Sequence, residues 1–118
     1  RAFRDADFYS STAPVEQATS DQIVGAVVSN SPAMSGINED WHYGFGLWIE
    51  CHESSFNSTC AETPTVSSPG AYGAYPFLNT SNGAFGLIAR QGQLGSFGEG
   101  YALLDGVRDL VDNWVECQ

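Results

Sequence analysis

The chain of 118 residues contains no lysine, and this absence excludes several kinds of chemistry at once. A chain without lysine cannot by itself form a Schiff base, bind a phosphate with an ammonium group or pair a catalytic serine with a lysine. Its four arginines stand against 14 acidic residues, which gives a net charge of −10. Because such a charge repels phosphate groups and anionic lipids, we expect no nucleic-acid partner and no membrane partner.

Long apolar runs are also missing, so the sequence predicts no transmembrane helix. The only methionine is Met34, and the chain begins at Arg1. We therefore expect a processed or trimmed chain rather than a primary translation product. Hydrophobic residues make up 42% of the chain and aromatic residues 13%, which is enough for the core of one small domain or of part of a larger one.

Only three cysteines are present, and two of them flank one short polar loop. Cys51 and Cys60 are the candidates for a disulfide bond across this loop, whereas Cys117 is either a free thiol or bonded to another chain. Two triplets match the acceptor pattern for N-glycosylation, at Asn57 and Asn79, and we expect both in exposed loops. Together these features favour a secreted or lumenal protein, in an extracellular, vacuolar or periplasmic type of oxidising compartment.

Few residues could form a self-contained catalytic or metal site. His42 and His52 are the only histidines, neither has a second strong metal ligand at a suitable spacing, and we interpret both as surface or loop residues. No serine lies in a Gly-x-Ser-x-Gly elbow. The sequence therefore predicts no metal and no cofactor.

The apolar periodicity predicts an α+β fold: a helix, then three successive antiparallel strands, then a C-terminal helix packed on the sheet. The first helix is expected to begin at Ser20-Asp21 and to end at Asn30-Ser31-Pro32, after an irregular lead-in over residues 1–19. The pattern shows no internal repeat and no domain boundary, so residues 1–118 form a single segment.

The first strand is expected over Tyr43–Cys51, with alternate glycines that leave room for an element crossing close by. The second strand runs from Val66 to Leu78, where Pro76 indicates an edge position or an irregularity. The third strand, Gly83–Arg90, follows a tight turn at Asn82-Gly83.

A long C-terminal helix is predicted from Tyr101 to about Cys117, after a glycine-rich connector over residues 91–100. One broad apolar stripe runs along this helix, which could thus lie across the sheet. The stripe consists of Leu103, Leu104, Val107, Leu110, Val111, Trp114 and Val115.

In their order, the segments Tyr43–Trp48, Ser68–Pro76, Gly83–Arg90 and the final helix resemble the C-terminal part of the serine β-lactamase-like family. That family includes penicillin-binding proteins, class C β-lactamases, esterases and D-aminopeptidases. The resemblance begins near residue 20, extends to residue 118 and covers roughly the last third of a family member. It implies that the chain is the C-terminal part of a β-lactamase-like domain.

The resemblance implies that the strand Val66–Leu78 borders the active site. Ser68-Pro69-Gly70 falls where the family carries a Lys-Thr-Gly or His-x-Gly triplet. The hydroxyl of Ser68 can hydrogen-bond or relay a proton there, but it cannot supply the positive charge of the usual basic residue. This difference disfavours action on carboxylate-bearing substrates and is less damaging for an esterase or amidase.

The same resemblance assigns roles to four more residues. Gly70 would keep the strand surface low so that an acyl group can lie against it. The backbone N–H of Ala71 would donate to the oxyanion as charge develops there. Pro69 and Tyr72 would line the substrate cleft.

The family nucleophile lies in a Ser-x-x-Lys motif, which a chain without lysine cannot contain. The resemblance therefore implies a larger N-terminal chain of the same precursor that carries this motif, held non-covalently or through Cys117. Our leading hypothesis is the C-terminal chain of a secreted, proteolytically processed serine hydrolase, inactive alone, that acts on ester or amide substrates. The alternatives are a non-catalytic β-lactamase-like pseudoenzyme or structural subunit, and a small secreted carbohydrate- or protein-binding module.

Overall fold

The computed structural model describes residues 11–62 and 64–117 and has an α+β fold. Five short strands form one antiparallel sheet in which each strand pairs with the next along the chain. They are β1 (His42–Tyr43), β2 (Trp48–Ile49), β3 (Thr65–Ser67), β4 (Tyr75–Asn79) and β5 (Phe85–Ile88). The predicted class, α+β with an antiparallel sheet, is confirmed, but the described residues form five strands where three were expected.

Five helices accompany this sheet in the described part of the chain. They are α1 (Ala13–Thr19), α2 (Pro32–Ile37), α3 (Ser58–Glu62), α4 (Phe97–Asp105) and α5 (Arg108–Glu116). Helix α1 lies in the second half of the predicted irregular lead-in, which corrects that expectation. The first half of the lead-in, residues 1–10, lies outside the described residues.

The helix predicted from Ser20-Asp21 to Asn30 is wrong, because this segment is irregular. Its valines form no buried face: Val27 is 97% exposed and Val24 is 77% exposed. Gly25 adopts a positive φ of 73°, which suits a turn and interrupts a helix. The helical spacing of apolar residues was misleading here because β-branched side chains have only modest helix propensity.

The predicted first strand, Tyr43–Cys51, is instead a hairpin of β1 and β2. Gly46 adopts φ +79°, and the Gly44 N–H donates to the Leu47 carbonyl oxygen at 2.9 Å across the turn. Gly44 and Gly46 thus lie in a turn that reverses the chain. Their alternation with bulky residues is nevertheless also typical of a single continuous strand. The predicted close crossing does occur at Gly44, where an added Cβ would overlap the carbonyl oxygen of Ala18 in α1.

The predicted second strand, Val66–Leu78, is likewise a hairpin: β3 ends at Ser67 and β4 begins at Tyr75. Pro76 lies in β4, which has β3 on one side and β5 on the other, so the expectation of an edge position is wrong. Its carbonyl oxygen accepts from the Ser68 N–H at 3.2 Å at the end of β3. Proline has no backbone N–H to donate in return. This missing donor lies at the end of β3, where the two strands separate into the loop.

The third predicted strand and the turn before it are confirmed by β5 and the β4–β5 turn. Gly83 adopts φ +75°, and its N–H donates to the Asn79 carbonyl oxygen at 2.9 Å. Phe85 and Leu87 project from the same face of β5, where they are 63% and 58% exposed. One face of this strand is therefore apolar and uncovered by the described residues.

The long C-terminal helix is two helices, α4 and α5, separated at Gly106-Val107. Helix α4 begins at Phe97, inside the predicted connector, and its Leu104 is buried with Tyr75 of the sheet. The predicted apolar stripe thus packs only in part. Its members that are half or more exposed are Leu103, Leu110 and Trp114.

The core lies between one face of the sheet and the helices α2 and α4. Its buried residues are Ala33, Trp41, Cys51, Tyr75 and Leu104. The Trp41 ring packs edge-on against Tyr101 of α4, with 5.5 Å between ring centroids. Aromatic side chains therefore supply much of the contact between sheet and helix.

The disulfide predicted between Cys51 and Cys60 is present, with 5.2 Å between the two Cα atoms. It ties α3 to the core, since Cys51 is buried there. A disulfide is compatible with the predicted oxidising compartment. Cys117 is an exposed thiol without a disulfide partner among the described residues. In that same part of the chain, no helix is long and apolar enough to cross a bilayer.

The contact between α4 and the β3–β4 loop generates a test of the packing. A Cβ added to Gly100 of α4 would overlap the carbonyl oxygen of Gly73. Helix propensity favours alanine over glycine by about 1 kcal/mol, but forcing the two backbones apart costs about 1–3 kcal/mol or more. We therefore expect Gly100→Ala to lower the free energy of unfolding measured by urea denaturation.

Gly98→Ala is the matched control in the same helix. Its added Cβ would meet the Ile37 side chain at 3.2 Å, and a side chain can shift more easily than a backbone. The Gly98 variant should stay within about 1 kcal/mol of the native protein. Equal destabilisation by the two substitutions would contradict the close backbone contact.

Candidate functional site

The loop between β3 and β4 carries the residues that the resemblance assigns to the active site. The Gly70 N–H donates across the hairpin to the Ala74 carbonyl oxygen at 2.8 Å. The carbonyl oxygen of the next residue, Ala71, points the other way and accepts from the Gly95 N–H at 2.8 Å. Among residues 11–62 and 64–117, the Ala71 N–H donates to no acceptor. One backbone donor is thus left over in a loop that lies against α4.

An apolar cavity of about 300 Å³ opens beside this loop. It lies between β2, the β3–β4 loop and the beginnings of α2 and α4. Its lining residues are Pro32, Trp48, Pro69, Ala71, Gly95 and Phe97. Since β2 pairs with β3 only at Ser67 and Val66, the chain beyond Ser67 has no neighbouring strand on the side away from β4 among the described residues. The structure therefore brings two predicted site residues, Pro69 and Ala71, to the wall of one cavity.

The other two predicted side chains lie outside this cavity. Ser68 is exposed and lines a second, smaller cavity of about 230 Å³ together with Leu47 and Pro76. Tyr72 is 51% exposed, and its carbonyl oxygen accepts from the Gly92 N–H at 2.7 Å. The tyrosine therefore holds the loop by its backbone and leaves its ring in solvent.

Nothing in the described chain requires glycine at position 70. The φ of Gly70 is not positive, and an added Cβ would meet only Ala74, at 3.6 Å or more. Gly73 in the same loop differs, because it adopts φ +91° and lies against the Arg90 guanidinium. Within the described residues, neither the backbone conformation nor the packing explains why residue 70 is Gly70.

The segment 91–96, which contributes Gly95 to the cavity, is held by Arg90. The Arg90 guanidinium pairs with Glu99 of α4 and donates to the Ser96 hydroxyl at 3.1 Å. Arg108, the other arginine in the described part of the chain, pairs with Glu50. Both cations are therefore neutralised by carboxylates, and neither lines the cavity.

A buried polar cluster around Glu50 was not predicted from the sequence. The Tyr75 hydroxyl donates to Glu50 Oε1 at 2.7 Å, and Arg108 Nη2 donates to Glu50 Oε2 at 3.1 Å. His52 Nε2 lies 3.4 Å from the same Oε2 atom, so the interpretation of His52 as only a surface or loop residue is incomplete. A signal was present, because Glu50 follows an apolar strand and Arg108 is the only cation after residue 90.

The environment of this cluster keeps Glu50 charged and Tyr75 protonated. Burial raises the pKa of the Glu50 carboxyl, but the hydrogen bond with His52 and the charge of Arg108 more than offset it, and the pKa lies below 4.5. Burial, followed by the charge of Glu50, raises the pKa of the Tyr75 hydroxyl far above its ordinary value. The Ser67 hydroxyl also lowers the pKa of Glu50, although it makes no hydrogen bond of good geometry with the described residues. The cluster is therefore a structural link between the sheet and α5 rather than a proton-transfer site.

His42 is also more than a surface residue. Its Nδ1 atom lies 2.6 Å from Asp21 Oδ2, and its ring stacks on Phe56 with 3.6 Å between centroids. The pair ties the irregular segment after α1 to the sheet, which corrects the surface interpretation. Within the described ranges, no group of three or more His, Cys, Asp or Glu residues is placed to hold a metal ion.

The two glycosylation triplets have different surroundings. Asn57 is exposed, and its Oδ1 accepts from the Thr59 N–H at 2.9 Å at the beginning of α3. Asn79 is the last residue of β4 and is half-buried, with its Nδ2 donating to Asp112 Oδ1 at 3.3 Å. The expected exposed loop is therefore correct for Asn57 and wrong for Asn79.

Comparisons of this chain with protein-family models, curated proteins and solved structures find no match. The interpretation of the site therefore depends on the geometry of the loop and the cavity beside it.

The Glu50 cluster generates a prediction about pH. We expect Glu50→Gln to lower the free energy of unfolding near neutral pH by about 1–3 kcal/mol, because it removes the charge that pairs with Arg108. The folded-state pKa of Glu50 lies below its ordinary value of 4.5, so the carboxylate stabilises the fold above that pH. Its contribution is lost as the pH falls through the folded-state pKa. The stability difference between native protein and variant should therefore shrink below pH 4.5 in urea titrations.

Asp109→Asn serves as the control, because Asp109 is an exposed carboxylate on α5. This variant should change the free energy of unfolding by less than about 0.5 kcal/mol at every pH. A Glu50→Gln difference that stays constant through the acid range would contradict the role assigned to the buried charge.

Proposed function

We propose that the chain is the C-terminal part of a serine hydrolase of the β-lactamase-like family, which contributes one wall of the acyl-binding cleft but not the nucleophile. The observation that carries this proposal is the Ala71 N–H, which has no acceptor among the described residues and lies at an apolar cavity. An oxyanion hole needs a backbone donor that is free to meet a developing negative charge. Such a donor depends little on its own side chain, so alanine suffices.

The neighbouring residues support the same role. Gly70 has neither a conformational nor a packing reason to be glycine within the described chain. A low surface beside the donor is what an acyl group would need in order to lie along the loop. The chain from Ser68 to Gly70 also has no neighbouring strand on the side away from β4 among the described residues, so an extended substrate could lie along it.

The reaction would be acyl transfer, with the serine nucleophile supplied by a separate, larger chain. The serine oxygen attacks the ester or amide carbonyl carbon, its proton passes to a lysine of that chain, and the carbonyl oxygen becomes an oxyanion facing the Ala71 N–H. The alcohol or amine then leaves with a proton, and water hydrolyses the acyl-enzyme. The present chain contributes positioning and charge stabilisation and is inactive alone.

The surface supports the existence of such a partner. Leu78 pairs with Phe85 and Pro76 pairs with Leu87 across β4 and β5, on the face opposite to the buried Tyr75. Contiguous apolar surface of this kind marks an interaction site on a protein. We propose that the larger N-terminal chain covers it. Cys117 would then be free or bonded to that chain.

Gly70→Ala tests the cleft. Because φ is not positive and Ala74 lies at ordinary contact distance, we expect the variant to fold with a stability equal to that of the native protein or up to about 1 kcal/mol higher. The new methyl group should crowd the acyl position and lower labelling of the partner's serine by a fluorophosphonate at least about tenfold. Labelling is measured on the intact assembly and followed by mass spectrometry.

Gly46→Ala is the reciprocal control, because Gly46 has φ +79° and lies in the β1–β2 turn. It should destabilise the fold by about 1 kcal/mol or more and leave the labelling rate unchanged. If the Gly70→Ala variant is labelled at the rate of the native protein, the acyl-binding cleft does not lie at this loop. A folded native assembly in which no serine is labelled would instead favour a pseudoenzyme.

The partner surface has a test of its own. Phe85→Ser combined with Leu87→Ser should release the chain from the larger chain, because both side chains are more than half exposed and support little of the chain's own core. Leu94→Ser, at a 74% exposed position in segment 91–96, is the matched control and should leave the assembly intact. Size-exclusion chromatography with mass detection gives the readout. A native 12.7 kDa chain that unfolds cooperatively as a lone monomer would contradict the partner and favour an independent binding module.

A further inference from the structure

We infer that the cleft accepts an uncharged, apolar acyl group and discriminates against substrates that carry a carboxylate on that group. The inference rests on the proposed function and names the substrate class of the same site. It depends on two features of the described residues: the charges near the loop and the lining of the cavity.

No cation of the described chain is available to the cavity. Arg90 pairs with Glu99, and Arg108 pairs with the buried Glu50. The sequence contains no lysine that could replace them. A substrate carboxylate in this cavity would lose its water without gaining a counter-ion from the wall, which is a costly arrangement.

The lining of the cavity favours apolar groups. Trp48 and Phe97 provide aromatic surface, and Pro32 and Pro69 provide two rings without any donor. At about 300 Å³, the cavity lies at the low end of the range for small-molecule sites. It would fit a short aliphatic chain or a single aromatic ring, with the reacting carbonyl placed at the Ala71 N–H.

Two esters of equal chain length test the inference on the intact assembly. 4-Nitrophenyl butyrate carries a neutral acyl group, and mono-4-nitrophenyl succinate carries the same number of acyl carbons with a terminal carboxylate. We expect kcat/KM for the butyrate to exceed that for the succinate at least about tenfold, after correction for their uncatalysed rates. Equal values, or a preference for the succinate, would overturn the inference while leaving the hydrolase in place.

A variant with one added positive charge tests the effect of the cavity wall separately from the effect of the net charge of the protein. Ala71 is exposed and lines the cavity, so Ala71→Lys can be accommodated and places a cation at the wall. We expect it to raise succinate hydrolysis relative to butyrate hydrolysis at least about tenfold. Ser54→Lys adds the same charge at an exposed position in the disulfide loop and should leave the ratio unchanged. If both variants change the ratio equally, net charge and not the wall sets the preference, and the inference fails.

A binding measurement keeps the inference testable if no ester is hydrolysed. Amide resonances of Ala71 and Gly95 can be followed in the isotope-labelled assembly during titration with butyramide and with succinamate. We expect butyramide to shift both resonances and succinamate to bind at least about tenfold more weakly. Selective binding without hydrolysis would refute only the hydrolase. Binding of neither amide, or of both equally, would refute the apolar acyl site.

Discussion

The charge of Glu50 is the constraint on which the arrangement of sheet and helices depends. Its carboxylate is inaccessible to solvent, and its two oxygens receive the Tyr75 hydroxyl of β4 and the Arg108 guanidinium of α5. Leaving such a charge without its partner costs about 3–5 kcal/mol, which is a large share of the roughly 5–15 kcal/mol that stabilises a small domain. The last helix is therefore fixed to the sheet by one buried ion pair, in addition to the hydrogen bonds that Asn79 and Asn82 donate to Asp112.

This attachment makes the two faces of the sheet unequal. On one face, Tyr75 and Leu104 are buried among aromatic side chains. On the other, Phe85 and Leu87 are more than half exposed. A meander of five short strands is too small to cover both of its faces with the helices described. The uncovered face and the absence of a Ser-x-x-Lys motif from the sequence both support the proposal of a larger chain that completes the sheet and the active site.

The glycines of the chain differ in what their missing side chains permit. At Gly100 an added Cβ would overlap backbone, and at Gly46 the φ angle is positive, so the fold itself requires glycine there. Gly70 meets neither condition, although it lies between two residues that line the cavity. In the proposed function, the missing side chain at Gly70 leaves space for the acyl group. This contrast is why the β3–β4 loop, and not the other glycine-rich turns, carries the proposed function.

The α+β class, the Cys51–Cys60 bridge and the Asn82-Gly83 turn followed from the sequence alone, because each depends on a local pattern: alternation, short spacing or turn chemistry. The hairpins within Tyr43–Cys51 and Val66–Leu78 did not, since glycines that alternate with bulky residues also permit a continuous strand. The Glu50 cluster and the cavity at Ala71 were decided only by the tertiary structure. Their parts lie far apart along the chain, and neither a long-range ion pair nor an unused backbone donor leaves a periodic trace in the sequence.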